Sequence, residues 1–117
     1  MTEKEIKEFE KRFYSRWSKS IDFTEMFKLK KMLEANNIPF DFYEYMGGYA
    51  LSYPQKTNFI CDVILHIGSY GKDEGLLEIM GLLTPWEKYH HGDSVIGWLT
   101  AENVFKRIKK DWEEKQK

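Results

Sequence analysis

Pro39-Phe40-Asp41-Phe42-Tyr43-Glu44-Tyr45-Met46-Gly47-Gly48-Tyr49-Ala50-Leu51-Ser52-Tyr53-Pro54 is the stretch on which the fold turns. A Gly-Gly pair suits a two-residue hairpin turn, because both central positions of such a turn need positive φ. A turn centred on Gly47-Gly48 pairs Met46 with Tyr49, Glu44 with Leu51 and Phe42 with Tyr53 on one face of the hairpin. Tyr45 with Ala50 and Tyr43 with Ser52 then share the other face. Aromatic residues make up 16% of the chain and are dense here. The two faces of this hairpin therefore decide where much of the stickiness goes.

The alternation continues downstream. Phe59 to His66 places Phe59, Cys61, Val63 and Leu65 on one side and Ile60, Asp62, Ile64 and His66 on the other, the period of a strand. Ile67 to Gly75 is punctuated by glycine and reads as a loop. Leu76 to Leu82, bounded by Gly75 and Gly81, is too short for a good helix and is read as a fourth strand. Upstream, the spacing of Ile6, Phe9, Phe13 and Trp17 predicts a helix from Glu3 to Ser18, opened by a Thr2–Glu5 capping box. Phe23, Met26, Phe27, Leu29, Met32 and Leu33 mark a second helix, with Asp22 and Thr24 at its start and Asn36-Asn37 and Pro39 at its end. Thr84-Pro85-Trp86-Glu87 opens a short helix that His91-Gly92-Asp93 breaks. Thr100 caps a last helix lined by Ala101, Val104, Phe105, Ile108 and Trp112. The expected fold is α+β: a single domain over residues 1–117, with a four-stranded antiparallel meander sheet packed by two N-terminal helices and a C-terminal helix.

The totals exclude some classes of function. A chain of 117 residues holds about one domain and buries a core without staples. Eighteen basic and nineteen acidic residues nearly cancel, so no global field draws the chain to nucleic acid or an anionic membrane. The one cysteine, Cys61, forms no internal disulfide and no thiolate zinc cluster, and its apolar neighbours make it a buried small hydrophobe. The opening MTEKEIKEFEKRF has no apolar run of the signal-peptide kind, and no segment approaches a membrane span. A cytoplasmic chain is expected.

The first sheet face, with Phe42, Leu51, Tyr53, Cys61, Val63, Leu65, Leu77 and Ile79, is the one for the helical stripes of Phe9, Phe13, Trp17, Phe27, Phe105 and Trp112 to cover. The second face would carry Tyr43, Tyr45, Ile60, Ile64, Leu76 and Met80 among Asp62, His66 and Glu78. A solvated face is normally more polar than this. Another helix of the chain, a second copy, or a different partner or ligand is needed to cover it.

No constellation of catalytic residues stands out. His90-His91-Gly92-Asp93 has metal-ligating residue types, but neighbouring side chains diverge and no ligand-spaced helical pair is present, so a polar loop is the plainer interpretation. Asp62 and His66 share a strand face about 13 Å apart, too far for a dyad. Ser69, in Gly68-Ser69-Tyr70-Gly71, lacks the G-x-S-x-G elbow. The amides around it can form an anion nest. Tyr43 and Tyr45 resemble a base-stacking platform, but the acidic Asp41, Asp62 and Glu78 stand where basic residues would be needed, which argues against nucleic acid. The Lys28-Lys30-Lys31 and Lys106-to-Lys110 clusters read as solvated helix flanks. No metal and no cofactor is expected.

Gly75-Leu76-Leu77-Glu78-Ile79-Met80-Gly81-Leu82-Leu83-Thr84 and Asp93-Ser94-Val95-Ile96-Gly97-Trp98-Leu99-Thr100-Ala101-Glu102-Asn103-Val104-Phe105, with Gly48-Tyr49 and Ser69-Tyr70-Gly71, resemble a family of small uncharacterised proteins carried by phages and integrative elements of gut Firmicutes. The likeness runs from about Phe40 to Ile108. It implies an accessory protein of a mobile element and brings no catalytic residues.

The expectation is a non-enzymatic binding protein with a host or mobile-element protein as partner and homodimerisation as a further option. Its candidate binding residues are Tyr43, Tyr45, Ile60, Ile64, His66, Ser69, Tyr70 and Met80. The alternative is a small-ligand or nucleotide-binding sponge using the Gly68–Gly75 loop. A third is a metal-dependent hydrolase using His66, Glu78, His90 or Asp93.

Overall fold

A computed structural model describes residues 1–18, 20–91 and 95–117. In chain order the elements are α1 (Glu3–Ser18), α2 (Thr24–Ala35), β1 (Asp41–Tyr45), β2 (Gly48–Tyr53), β3 (Cys61–Leu65), a 3-10 turn (Lys72–Glu74), β4 (Leu77–Met80), α3 (Pro85–His91), β5 (Val95–Leu99) and α4 (Ala101–Lys115). The α+β expectation holds. The sheet is an antiparallel meander in the order β1-β2-β3-β4-β5, with five strands where the sequence reading had four. The added strand, β5, pairs with β4 through Leu77–Leu99, Ile79–Ile96 and Met80–Val95.

Helix starts follow the caps. The Thr2 hydroxyl accepts the Glu5 amide at 3.1 Å, while the Glu5 carboxylate accepts the Thr2 amide at 3.4 Å. Thr84 and Glu87 form the same box at 3.2 and 2.8 Å. The Thr100 hydroxyl accepts the Asn103 amide at 3.2 Å.

The hairpin register differs from the expected one. Phe42 pairs with Leu51 and Glu44 with Tyr49, so the turn is Met46-Gly47, with φ of 47° and 76°. Gly48 is the first residue of β2, and the close approach of β3 is the reason: a Cβ on Gly48 would lie 2.0 Å from the Leu65 carbonyl oxygen. The partner shifts by two residues, so every side chain keeps its expected face.

The first face is sealed by α2 and α4. Met26, Leu29 and Leu33 of α2 and Ala101, Val104 and Ile108 of α4 are buried against Leu51, Tyr53, Cys61, Val63, Leu65, Leu77 and Ile79. Phe23, Phe27, Phe42 and Tyr49 form an aromatic cluster at one end, with neighbouring ring centroids 5.1–5.8 Å apart. The Tyr53 hydroxyl donates to Asp111 of α4 at 2.7 Å, and burial raises the pKa of its phenol. Cys61 is buried in the same core, and desolvation pushes its thiol up to about 12, so it is chemically inert there.

Of the two N-terminal helices expected over this face, α2 covers it, while the described apolar side chains of α1 do not. Ile6, Phe9 and Phe13 are 43%, 56% and 49% exposed. The Trp17 side chain lies outside the described residues. The radius of gyration is 15.1 Å, against roughly 13 Å for a compact chain of this length. Phe59 is also exposed, ahead of β3 and outside the core.

Candidate functional site

Two cross-strand rows build the second face. Tyr43, Ala50, Ile64 and Glu78 form one, and Asp41, Ser52, Asp62, Met80 and Val95 the other. Small residues on β2 bring the face down at its centre: Ala50 and Ser52 are fully covered by their neighbours. Tyr43 and Ile64 are half-buried, while Tyr45 and Met80 are exposed. α2 and α4 bury their apolar stripes on the opposite side, so among the described residues neither covers this face.

Polar groups on the face satisfy one another. Ser52 donates to Asp62 at 2.8 Å, which leaves the Tyr43 hydroxyl, 3.1 Å from the serine oxygen, as donor to Ser52. Burial raises the pKa of Asp62, and the Ser52 hydrogen bond opposes that shift. Lys56 places its ammonium 4.4 Å from the centre of the Tyr43 ring.

His66 is buried at the upper edge of the face, with its ring 5.5 Å from that of Tyr45. Its Nδ1 accepts the Gly68 amide at 2.9 Å, which places the proton of the neutral ring on Nε2, and burial lowers its pKa. Ser69 is locked to the backbone of His66 rather than its ring: Oγ accepts the His66 amide and donates to the His66 carbonyl, both at 3.0 Å. Ser69 thus holds the loop and presents no nucleophile to the imidazole.

The sequence reading missed one residue of this site, Trp98. Leu99 pairs with Leu77 and Ile96 with Ile79, so Gly97 and Trp98 together oppose Glu78 in a β-bulge. Trp98 has φ of 58°, rare for a bulky side chain. The bulge turns its ring onto Tyr70, at a centroid distance of 5.7 Å and an interplanar angle of 13°. Gly97 makes room: a Cβ there would lie 2.3 Å from the Tyr70 Cβ. Glu78 accepts the Tyr70 amide at 2.9 Å and fixes the base of the stack. Tyr70 and Trp98 are 55% and 57% exposed, so the stack stands in solvent at the end of the row. A glycine inside a short β-branched run was the available signal of a bulge.

The expected binding residues therefore divide. Tyr43, Tyr45, Ile64, His66 and Met80 meet on the face, and Tyr70 joins them through Trp98. Ser69 lies beneath as support. Ile60 is a correction. It precedes β3, donates its amide to the Tyr53 carbonyl at 2.7 Å and packs against the first core.

The remaining candidate clusters come apart. Asp62 is bonded to Ser52 and His66 to Gly68, so they form no pair. His90 stacks on Trp86 at 4.0 Å, and Gly92 and Asp93, like the His91 side chain, lie outside the described residues. Among the described residues, no group of three or more His, Cys, Asp or Glu side chains could hold a metal ion. In the Gly68–Gly75 loop, the amides of Gly68, Ser69, Tyr70, Lys72, Glu74 and Gly75 already donate within the chain, so the expected anion nest is largely closed. Of the basic clusters, Lys28 pairs with Glu102 and Arg107 with Glu87 across helices, Lys30 and Lys109 pair along their own helices, and Lys31, Lys106 and Lys110 are exposed on the helix flanks.

Comparison with protein-family models, with curated proteins and with solved structures found no match. The geometry of the chain is therefore the basis for its function. No described helix is long and apolar enough to cross a membrane.

Proposed function

We propose that this chain is a small non-enzymatic binding protein that engages another protein through the second face of its sheet. One observation carries this: Tyr45, Tyr70, Met80 and Trp98 stand about half exposed on one side of a sheet whose other side is sealed. Scattered exposed apolar residues are ordinary, but tyrosine, tryptophan and methionine sharing one sheet face, with half-buried Tyr43 and Ile64 between them, match the composition of protein interfaces. Their setting favours recognition over mere stickiness. The face has a rigid base of small buried residues, and a bulge aims Trp98 outward.

The resemblance to proteins of phages and integrative elements supports a mobile-element setting, with a host or element protein as partner in the cytoplasm. Nucleic acid fits less well, because the face carries Asp41, Asp62 and Glu78 against Lys56. The nucleotide-sponge alternative loses its main support with the amides of the Gly68–Gly75 loop already engaged.

The test is a pull-down from host lysate with the wild-type chain and with a Tyr45→Ser, Met80→Ser, Trp98→Ser variant of unchanged circular dichroism. The expected result is a protein held by the wild type and lost by the variant. Identical recovery by both, or no recovery by either from a wild type that is also monomeric, counts against the proposal.

A further inference from the structure

The chain carries two apolar surfaces that its own fold leaves open. One is the second sheet face. The other is the stripe of Ile6, Phe9 and Phe13 along α1. Phe9 and Phe13 already stack on each other, with centroids 6.4 Å apart, so the stripe is an ordered ridge. The described apolar side chains of α1 complete no core, and an amphipathic helix of this kind is marginal on its own in water.

α1 is poorly placed to fold onto its own second face. Tyr14 packs against the β1–β2 turn, where a Cβ on Gly47 would lie 2.9 Å from its Cβ. Lys7, Glu10, Lys11 and Tyr14 line a cleft with the same turn, so the side of α1 that meets its own sheet end is not the side bearing the ridge. Ile21 and Phe23 pack on the core, and only two residues separate Ile21 from the end of α1. The anchored helix therefore carries its ridge beyond its own sheet.

We infer that the second face receives α1 of a second copy of this chain, in a reciprocal exchange that makes a two-fold dimer; this rests on the face being a protein-docking surface. The dimensions agree. Five strands span about 19 Å at ~4.8 Å spacing, and a helix of 16 residues is about 24 Å long. Ile6, Phe9 and Phe13 would lie among Tyr45, Ile64, Met80 and the Tyr70–Trp98 stack. The face is acidic on balance, with Asp41, Asp62 and Glu78 against Lys56, and Arg16 lies beside the ridge that would dock on it. Because each copy offers both a ridge and a face, a two-fold axis satisfies both at once. Large side chains that are about half exposed would each bury ~100 Å². Two reciprocal contacts then come to roughly 1,400 Å², within the range of stable dimers.

The test uses the full chain in sedimentation equilibrium over a concentration series. Wild type should sediment with the mass of two chains. A ridge variant, Phe9→Glu with Phe13→Glu, and a face variant, Met80→Lys, should each raise the dimer dissociation constant about thirtyfold or more. All three substitutions are at exposed positions, so circular dichroism should be unchanged. Mixing the two variants should restore association in part, because the intact α1 of the face variant can dock on the intact face of the ridge variant. A monomeric wild type, a dimer indifferent to both variants, or a mixture no better than its parts overturns the inference. A monomeric wild type that still captures a lysate protein through Trp98 would keep the docking face and overturn the second copy as its occupant. Loss of both would remove the face as well.

Discussion

Trp98 is the residue where the backbone most plainly serves something other than stability. A left-handed conformation costs a non-glycine residue roughly 1–2 kcal/mol. The stack on Tyr70 is worth about 0.5–1.5 kcal/mol. The two nearly cancel, so Trp98→Gly is expected to change the unfolding free energy by less than about 1 kcal/mol in a urea titration. A tryptophan buried for stability would cost ~3–5 kcal/mol on truncation. A loss of that size would show that Trp98 is a structural anchor rather than an outward-facing recognition residue. The same residue shows a limit of sequence reading. Gly97 hints at a bulge, but the direction of Trp98 depends on Glu78 and Tyr70 from other parts of the chain.

Among the elements, α3 depends most on a single interaction. It is seven residues long, and Trp86 and Tyr89 on it are exposed. Arg107 of α4 grips Glu87 with two hydrogen bonds of 2.7 and 2.6 Å, and the same guanidinium donates to the Leu82 carbonyl and to Asn103. Both side chains are largely buried, at 16% and 12% exposure, so this pair is more than a surface ion pair. The arginine, with further hydrogen bonds from Thr84, holds the Glu87 carboxyl down to about 2, from an ordinary 4.5. Unfolded chains bind this proton near pH 4.5 and the folded chain only near pH 2, so this stabilisation is present above about pH 4.5 and is lost as pH falls toward 2. Its size is about 2–3 kcal/mol. Glu87→Gln should lower stability at pH 7 by a similar amount and flatten the pH dependence of thermal melting between those limits. An unchanged acid profile in the variant would show that the pair does not hold α3.

At the scale of the whole molecule, the sheet with α2 and α4 is one cooperative unit, and α1 is attached to it. Among the described side chains of residues 1–18, none belongs to the core. A chain beginning at Ser20 should therefore fold, with a melting midpoint within a few degrees of the full chain when both are monomeric. Collapse of the truncated chain would mean that the Tyr14 contact with the β1–β2 turn contributes far more than its burial indicates. If α1 docks on a second copy, its removal should also cost the dimer, and the full chain would then melt at a temperature that rises with concentration.

By itself the sequence determined the α+β class, the helix caps at Thr2, Thr84 and Thr100, and the face to which each residue of the hairpin belongs. These are local properties. A period of two survives a two-residue change of register, so the Met46-Gly47 turn in place of Gly47-Gly48 moved partners and left the faces alone. Only the tertiary structure decided the rest. Val95–Leu99 shows no alternation, being apolar throughout and interrupted by Gly97 at the bulge, and it becomes a strand because β4 has an edge to pair. Ile60 leaves the second face because its amide closes onto Tyr53. The apolar stripe of α1 states that a partner surface is needed but not where it lies. That choice depends on the anchors at Tyr14, Ile21 and Phe23, contacts between residues distant in the chain that no local pattern encodes.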